Sequence, residues 1–266
     1  MPSQFETHDD QIDPTENARG PRDPNAHHGG PTTALAVAAI ERAAGPEMQI
    51  ARVTVELLRP VPLAPLRLVT EVVRPGRKVK LVEAQLFDAA SGNEVFRVRS
   101  LTIRRASDPL PEGDHFEPTP PPPPGPDSAR PRGHGGAWID DDHIMFHNEG
   151  AEVRFVESAW DEPGPSVVWI RLLVPVLDNE PITPMQRVVA ASDFSNGVSW
   201  ALPVEDWIYI NPDLTVHVAR EPIGEWIGMR TRTQFGPHGM AFTDGELFDT
   251  TGRIGRANQS LIIEKR

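Results

Sequence analysis

Three landmarks recur in the same order in the two halves of this chain, and a duplicated unit constrains the fold more than any single motif. In the first half, Val53-Thr-Val-Glu-Leu-Leu-Arg-Pro60 is followed 26 positions after Pro60 by Leu86-Phe87-Asp88, then by Ser100-Leu-Thr-Ile-Arg104. In the second, Leu214-Thr-Val-His-Val-Ala-Arg-Glu-Pro222 is followed 25 positions after Pro222 by Leu247-Phe248-Asp249, then by Ser260-Leu-Ile-Ile-Glu264. Between the copies lies a stretch in which no strand or helix propagates well. Ten of the 29 prolines fall between Pro109 and Pro131, and proline lacks the backbone N–H that either element needs. The run Pro120 to Pro124 favours a stiff polyproline II spacer. The division expected from this is residues 1–106, a proline-rich linker over 107–135, and residues 136–266.

Each copy carries one helix candidate upstream of its strands, Pro31–Gly45 and Thr183–Gly197. Thr183 can N-cap with Pro184 behind it, and Gly45 can end the first helix. The first helix is apolar on nearly every face, through Ala34, Leu35, Val37, Ala38, Ala39 and Ile40, so it must be buried. Segments with period-two alternation or many β-branched residues predict strands at 49–58, 66–74, 78–87 and 94–104, then 166–176, 213–219, 226–234, 239–248 and 254–265. Turn signals such as Ala90-Ser-Gly-Asn93 and Thr250-Thr-Gly-Arg253 separate them. Each half therefore reads as a buried helix followed by an antiparallel meander.

Composition limits function. Lys and Arg total 26 against 38 Asp and Glu, a net charge of −12, which disfavours nucleic acid as a partner. The absence of cysteine removes disulfides, thiolate nucleophiles and Cys-ligated metals, and fits a reducing cytoplasm. The first thirty residues hold no apolar run, and no uncharged apolar stretch approaches the ~18 residues of a membrane span.

A long apolar helix wrapped by an antiparallel sheet, occurring twice, is the α+β arrangement called the tandem or double hotdog. Ala18-Arg-Gly-Pro-Arg-Asp-Pro-Asn-Ala-His-His-Gly-Gly-Pro31 and Thr54-Val-Glu-Leu-Leu-Arg-Pro60 resemble the first half of the acyl-CoA thioesterase II-like family. Ala191-Ser-Asp-Phe194, Arg220-Glu-Pro-Ile-Gly-Glu-Trp226 and Gly255-Arg-Ala-Asn-Gln-Ser260 resemble motifs of its second half. The resemblance implies hydrolysis of acyl-CoA to free acid and CoA by one activated water, with no metal, cofactor or covalent intermediate. It places the family's Asp on Asp193 and its Gln on Gln259, while the hydroxyl position falls on Asn211, a departure from the pattern. An amide can still donate and accept, so Asn211 and Gln259 are expected to hold the water while Asp193 takes its proton. Gly29, Gly30 and Gly197 would let backbone N–H groups approach the thioester and hold its oxyanion. In the repeat register, position 211 corresponds to Ile50 and position 259 to Arg99, so one copy is expected to catalyse and the other to support.

Other constellations read more plainly. His27 and His28 are expected to be loop residues. His134, His143 and His147, near Asp140 to Asp142, read as a solvated loop, and no metal is expected. Ser199 lacks the second glycine of a nucleophile elbow. The rival readings are a hotdog hydratase or dehydratase, which would need a His–Asp pair, and a non-catalytic acyl-thioester binding protein. A homo-oligomer is compatible with either.

Overall fold

The computed structural model describes residues 2–8, 11–107, 120–131 and 143–266. Its main feature is a 14-stranded antiparallel sheet. In chain order the strands are β1 (Phe5–His8), β2 (Gln11–Pro14), β3 (Met48–Leu57), β4 (Leu66–Arg74), β5 (Val79–Asp88), β6 (Glu94–Arg104), β7 (Arg130–Pro131), β8 (Ala151–Glu157), β9 (Ser166–Leu172), β10 (Trp207–Ile210), β11 (Asp213–Val218), β12 (Ile227–Phe235), β13 (Met240–Asp249) and β14 (Gly252–Lys265). Their spatial order is β1-β2-β4-β5-β6-β3-β11-β14-β13-β12-β9-β8-β7, with β10 paired to the far end of β14. Among the described residues the α-helices are α1 (Gly29–Ala44), α2 (Pro184–Ser192) and the single turn α3 (Ser195–Val198).

The two copies of the sequence repeat meet at the middle of the sheet. Strands β3 and β11 pair antiparallel with Thr54 opposite Thr215, Val53 opposite Val216 and Val55 opposite Leu214. The repeat-equivalent Thr54 and Thr215 are thus cross-strand partners, with the two copies running antiparallel away from that point. The repeated Leu-Phe-Asp landmark has a local cause in both copies: its aspartate folds the following hairpin. Asp88 Oδ1 accepts from the Ala90 N–H, and Asp249 Oδ1 accepts from the N–H groups of Thr251 and Gly252.

Helix α1 is buried on nearly every side, with Leu35, Val37 and Ile40 inaccessible to solvent, as its uniformly apolar sequence requires. It packs on β3 to β6 and along α2, which in turn packs on β9, β11 and β12. Burying each such side chain contributes about 1.5–3 kcal/mol. Gly45 ends α1 at φ 89°, a conformation that favours glycine. At the other end of the pair, Thr183 starts α2 with a capping box: its Oγ1 accepts from the Gln186 N–H, and Gln186 Oε1 accepts from the Thr183 N–H. The same Thr183 hydroxyl donates to Glu41 at 2.8 Å, tying the helices together, and burial pushes the Glu41 carboxyl up to about 7. At 16 residues α1 falls short of the ~20 needed to span a bilayer. No helix among the described residues is long and apolar enough to cross one.

Three expectations need correction. The helix predicted over 183–197 is broken: α2 stops at Ser192, the Phe194 N–H turns back to the Ala191 carbonyl, and α3 follows. The hydroxyls of Ser192 and Ser195 bond to carbonyls three or four residues back, the competition with the backbone that makes such residues poor helix formers. The described part of the proline stretch does not stand off as a spacer. Residues 120–131 lie along the sheet edge, where Trp169 Nε1 donates to the Pro124 carbonyl, Ala129 packs with Trp169 and Phe248, and β7 pairs with β8. His147 is not solvated: it is buried in a wide helical turn, Phe146–Gly150, and stacks on Trp160 with ring centroids 6.1 Å apart. His134 and Asp140 to Asp142 lie outside the described residues.

Candidate active site

The break after α2 places Asp193 at the helix end, and the start of α1 arrives against it. A Cβ on Gly29 would lie 2.8 Å from Asp193 Oδ2, and one on Gly30 would lie 2.7 Å from the Ala190 carbonyl oxygen. Only glycine permits that approach. A side chain at Gly197 would meet nothing within 4 Å, so its glycine is not demanded by space.

The structure brings Asp193, Asn211 and Gln259 together in one buried cluster, although they lie on the α2 terminus, ahead of β11 and on β14. Asp193 is 7% exposed, Asn211 8% and Gln259 1%. Asn211 Nδ2 donates to Asp193 Oδ1 at 3.0 Å, and Gln259 Nε2 donates to the same oxygen at 3.3 Å. The amide oxygens are also taken. Gln259 Oε1 accepts from the backbone N–H of Asn196 at 3.1 Å, and Asn211 Oδ1 accepts from Asn196 Nδ2 at 3.4 Å. A backbone N–H can only donate, so it fixes which way the Gln259 amide faces. Both amides therefore grip the carboxylate, and Gln259 does not line the cavity. The expectation had them holding the water; in this geometry they hold the Asp193 carboxylate.

Two residues of this cluster were not found by sequence reasoning. Asn196 is one, hidden because its contribution runs through a backbone N–H. His28 is the other: it caps α1, and its Nδ1 lies 2.9 Å from Asp193 Oδ2 and 3.0 Å from the Gly30 N. One ring nitrogen cannot donate to the carboxylate and accept from Gly30 at once, so the proton on the pair decides which bond forms. The imidazole is held between Phe146 and Phe194, at centroid distances of 5.0 and 4.9 Å. His27 differs sharply. Burial lowers its pKa to about 3, which keeps it neutral, and its Nδ1 faces the Thr32 hydroxyl at 3.0 Å.

A cavity of about 280 Å³ opens on this cluster. Asp193, His28, Gly29, Asn196, Gly197 and Asn211 contribute to its wall, and Leu57, Pro60, Trp160, Phe194 and Ile210 make it largely apolar. A buried acid–base cluster with convergent polar groups in an apolar pocket is the usual form of a small-molecule site. No group of three His, Asp or Glu side chains among the described residues is placed to hold a metal ion.

Comparison with known proteins places this cluster in context. A family model described as the acyl-CoA thioesterase N-terminal domain matches residues 19–103, and one described as the acyl-CoA thioesterase C-terminal domain matches residues 112–263. A comparison with curated proteins finds no match. Among solved structures, the acyl-CoA thioesterase II TesB2 from Mycobacterium marinum superposes with a TM-score of 0.69 at 16% identity, over 98% of this chain and 96% of that one. A protein with a hot dog fold from Alicyclobacillus acidocaldarius gives 0.71 at 18% identity, over 98% and 95%. The tesB protein of Mycobacterium avium subspecies paratuberculosis gives 0.69 at 15% identity, over 98% and 96%. At these identities the likenesses establish a shared fold. Because the two thioesterase models together match residues 19–103 and 112–263, the chain belongs to the acyl-CoA thioesterase family, a family of thioester hydrolases.

Proposed function

We propose that this protein hydrolyses acyl-CoA to free acid and CoA by direct attack of a water activated at Asp193, without metal or covalent intermediate. The observation that carries the reading is the state of that carboxylate: Oδ1 is occupied by two amide donors, while Oδ2 meets His28 at the cavity wall. A water between Oδ2 and the thioester carbonyl gives its proton to the Asp193–His28 pair as its oxygen bonds to the carbonyl carbon. The oxyanion then needs donors. First-turn N–H groups of a helix have no intrahelical acceptor, and with Gly30 aimed at His28, that of Gly29 is the one open to the substrate. Collapse breaks the C–S bond, and the proton held on the pair goes to the departing sulfur. Asn211, Gln259 and Asn196 act through Asp193 as positioning residues.

The tandem hotdog reading belongs to this proposal, with halves over 1–106 and 136–266 joined by the 107–135 segment. It is supported by the central antiparallel β3–β11 pairing, in which the repeat-equivalent Thr54 and Thr215 face each other, and by the packing of one buried helix on each half. Only the second copy has an Asp–Asn–Gln set, since Ile50 and Arg99 stand at the equivalent strand positions.

Thiol release from a panel of short- to long-chain acyl-CoAs tests the activity. Turnover that stops on replacing His28 with Ala, with the fold retained, is expected. Tight binding of every ester without release would instead make the protein a binder. The His28–Asp193 pair also favours a second reading, hydration of enoyl thioesters, and that reaction would consume the conjugated alkene without releasing thiol.

A further inference from the structure

The loop from Gly20 to Ala26 places one cation, Arg22, in the cavity wall. Residues Gly20 to Ala26 form a tight return: the Gly20 N–H donates to the Ala26 carbonyl and the Ala26 N–H to the Asp23 carbonyl. It is pinned to the next segment by the His27 N–H on the Val61 carbonyl and the Leu63 N–H on the Asn25 carbonyl. A Cβ on Gly20 would lie 2.9 Å from the His27 carbonyl oxygen, so the two arms of the loop touch. Arg22 sits in this loop, exposed and lining the cavity. Its neighbour Asp23 also lines the cavity, but Asp23 Oδ1 accepts from the Asn25 N–H at 2.9 Å and serves the turn.

Arg22 makes no ion pair among the described residues, and the anion nearest the reaction, Asp193, is already held by His28, Asn211 and Gln259. Most other Arg side chains in this acidic protein pair with carboxylates. The Arg22 guanidinium is held below its ordinary pKa, first by desolvation; Asp193 opposes the shift and Arg266, a second cation, adds to it. A cation in the cavity wall with no carboxylate of its own is open to an anion carried by the ligand.

Distance decides which anion fits. Arg22 and Asp193 line the same cavity of about 280 Å³, near enough for the carboxylate to act electrostatically on the guanidinium. The diphosphate of CoA lies at the far end of its pantetheine arm, too remote from the thioester to share that space. A carboxylate two or three carbons along the acyl group is not.

We propose that Arg22 is a specificity residue that selects short acyl groups bearing a terminal carboxylate, so that the preferred substrates are CoA thioesters of short dicarboxylic acids. Planar two-point hydrogen bonding to a carboxylate is what a guanidinium does best. This inference rests on the thioesterase reading of the same cavity.

The test compares kcat/KM for succinyl-CoA with butyryl-CoA, and for glutaryl-CoA with valeryl-CoA, in the wild type and in Arg22→Gln. The same acyl groups are also offered on N-acetylcysteamine, which has no nucleotide or phosphate. The wild type is expected to prefer the carboxyacyl ester by about 10–100-fold, as a charge-assisted contact allows. In Arg22→Gln that ratio is expected to fall toward unity, on both thiol carriers. An unchanged ratio overturns the proposal. So does a uniform loss for all CoA esters with none for the N-acetylcysteamine esters, which would assign Arg22 to a CoA phosphate. If the wild type releases thiol from nothing, the hydrolase reading fails instead, and calorimetric Kd values for the same CoA pairs decide the Arg22 preference separately.

Discussion

Replacing Asp193 with Asn is expected to lower kcat for thiol release by about 10²–10⁴-fold, the usual contribution of a positioned general base. The substitution keeps the shape of the site. An Asn oxygen can accept from Asn211 Nδ2 and Gln259 Nε2 as the carboxylate does, while its NH₂ donates to His28 Nδ1. Folding should therefore survive, and the thermal midpoint should stay within a few degrees of the wild type. KM should move little, because the apolar cavity wall of Leu57, Trp160 and Ile210 is untouched. Thiol release and thermal melting on the same preparation check both statements. An Asp193→Asn variant that keeps more than a tenth of wild-type kcat would place the base elsewhere, with His28 the first residue to examine.

The second large effect concerns stability. Asp249 is fully buried and gathers the Arg220 guanidinium, the N–H groups of Ile223, Thr251 and Gly252, and the Thr251 hydroxyl. Despite the desolvation that opposes it, these donors hold its carboxyl well below the usual carboxylate range. Asp249→Ala strands them all. Breaking a buried pair costs ~3–5 kcal/mol, and because Arg220 is 35% exposed and keeps some water, about 3 kcal/mol is the better expectation. At ~2–4 °C per kcal/mol that lowers Tm by roughly 6–12 °C. The sign with pH follows from the depressed pKa. The stabilisation is complete above the unfolded carboxylate pKa, near 4, and disappears as pH falls through the folded value. Denaturation curves of wild type and Asp249→Ala should thus be well separated at neutral pH and converge in strong acid. Curves equally separated throughout would mean that the loss comes from packing and not from charge.

The same aspartate shows how far the sequence was legible. Leu247-Phe248-Asp249 stood out because it repeats Leu86-Phe87-Asp88, and the structure gives the reason: both aspartates fold a hairpin. Strand alternation is a local property, so β4 and β6 appear with the bounds read from sequence, Leu66–Arg74 and Glu94–Arg104. The short strands were missed for a reason of the same kind. β1, β2 and β10 have four residues each, too few for a period to register. The buried α1 was legible from its uniform apolarity, whereas the break at Asp193 depends on serine hydroxyls that turn back onto carbonyls.

For the site, the resemblance named Asp193, Asn211 and Gln259, and the fold brings them together. It could not show their orientation. His28 was passed over because, in sequence, a pair of histidines before two glycines looks like any loop; its significance arises only when the α1 terminus meets the α2 terminus, more than 150 residues away in sequence. Asn196 acts partly through a backbone N–H, which no residue pattern reports. Arg22 likewise joins the cavity wall only once the loop from Gly20 to Ala26 folds back on itself.

The central claim is that water held at Asp193 attacks the thioester directly. A single turnover with enzyme in excess over acyl-CoA, run in water labelled with heavy oxygen and read by mass spectrometry of both acid and protein, tests it most directly. The account requires one labelled oxygen in the acid from the first turnover, no label in the Asp193 carboxylate and no acyl adduct on the chain at any time. Unlabelled acid with label in Asp193, or an acylated protein trapped before product appears, would mean that a side chain attacks first and would contradict it.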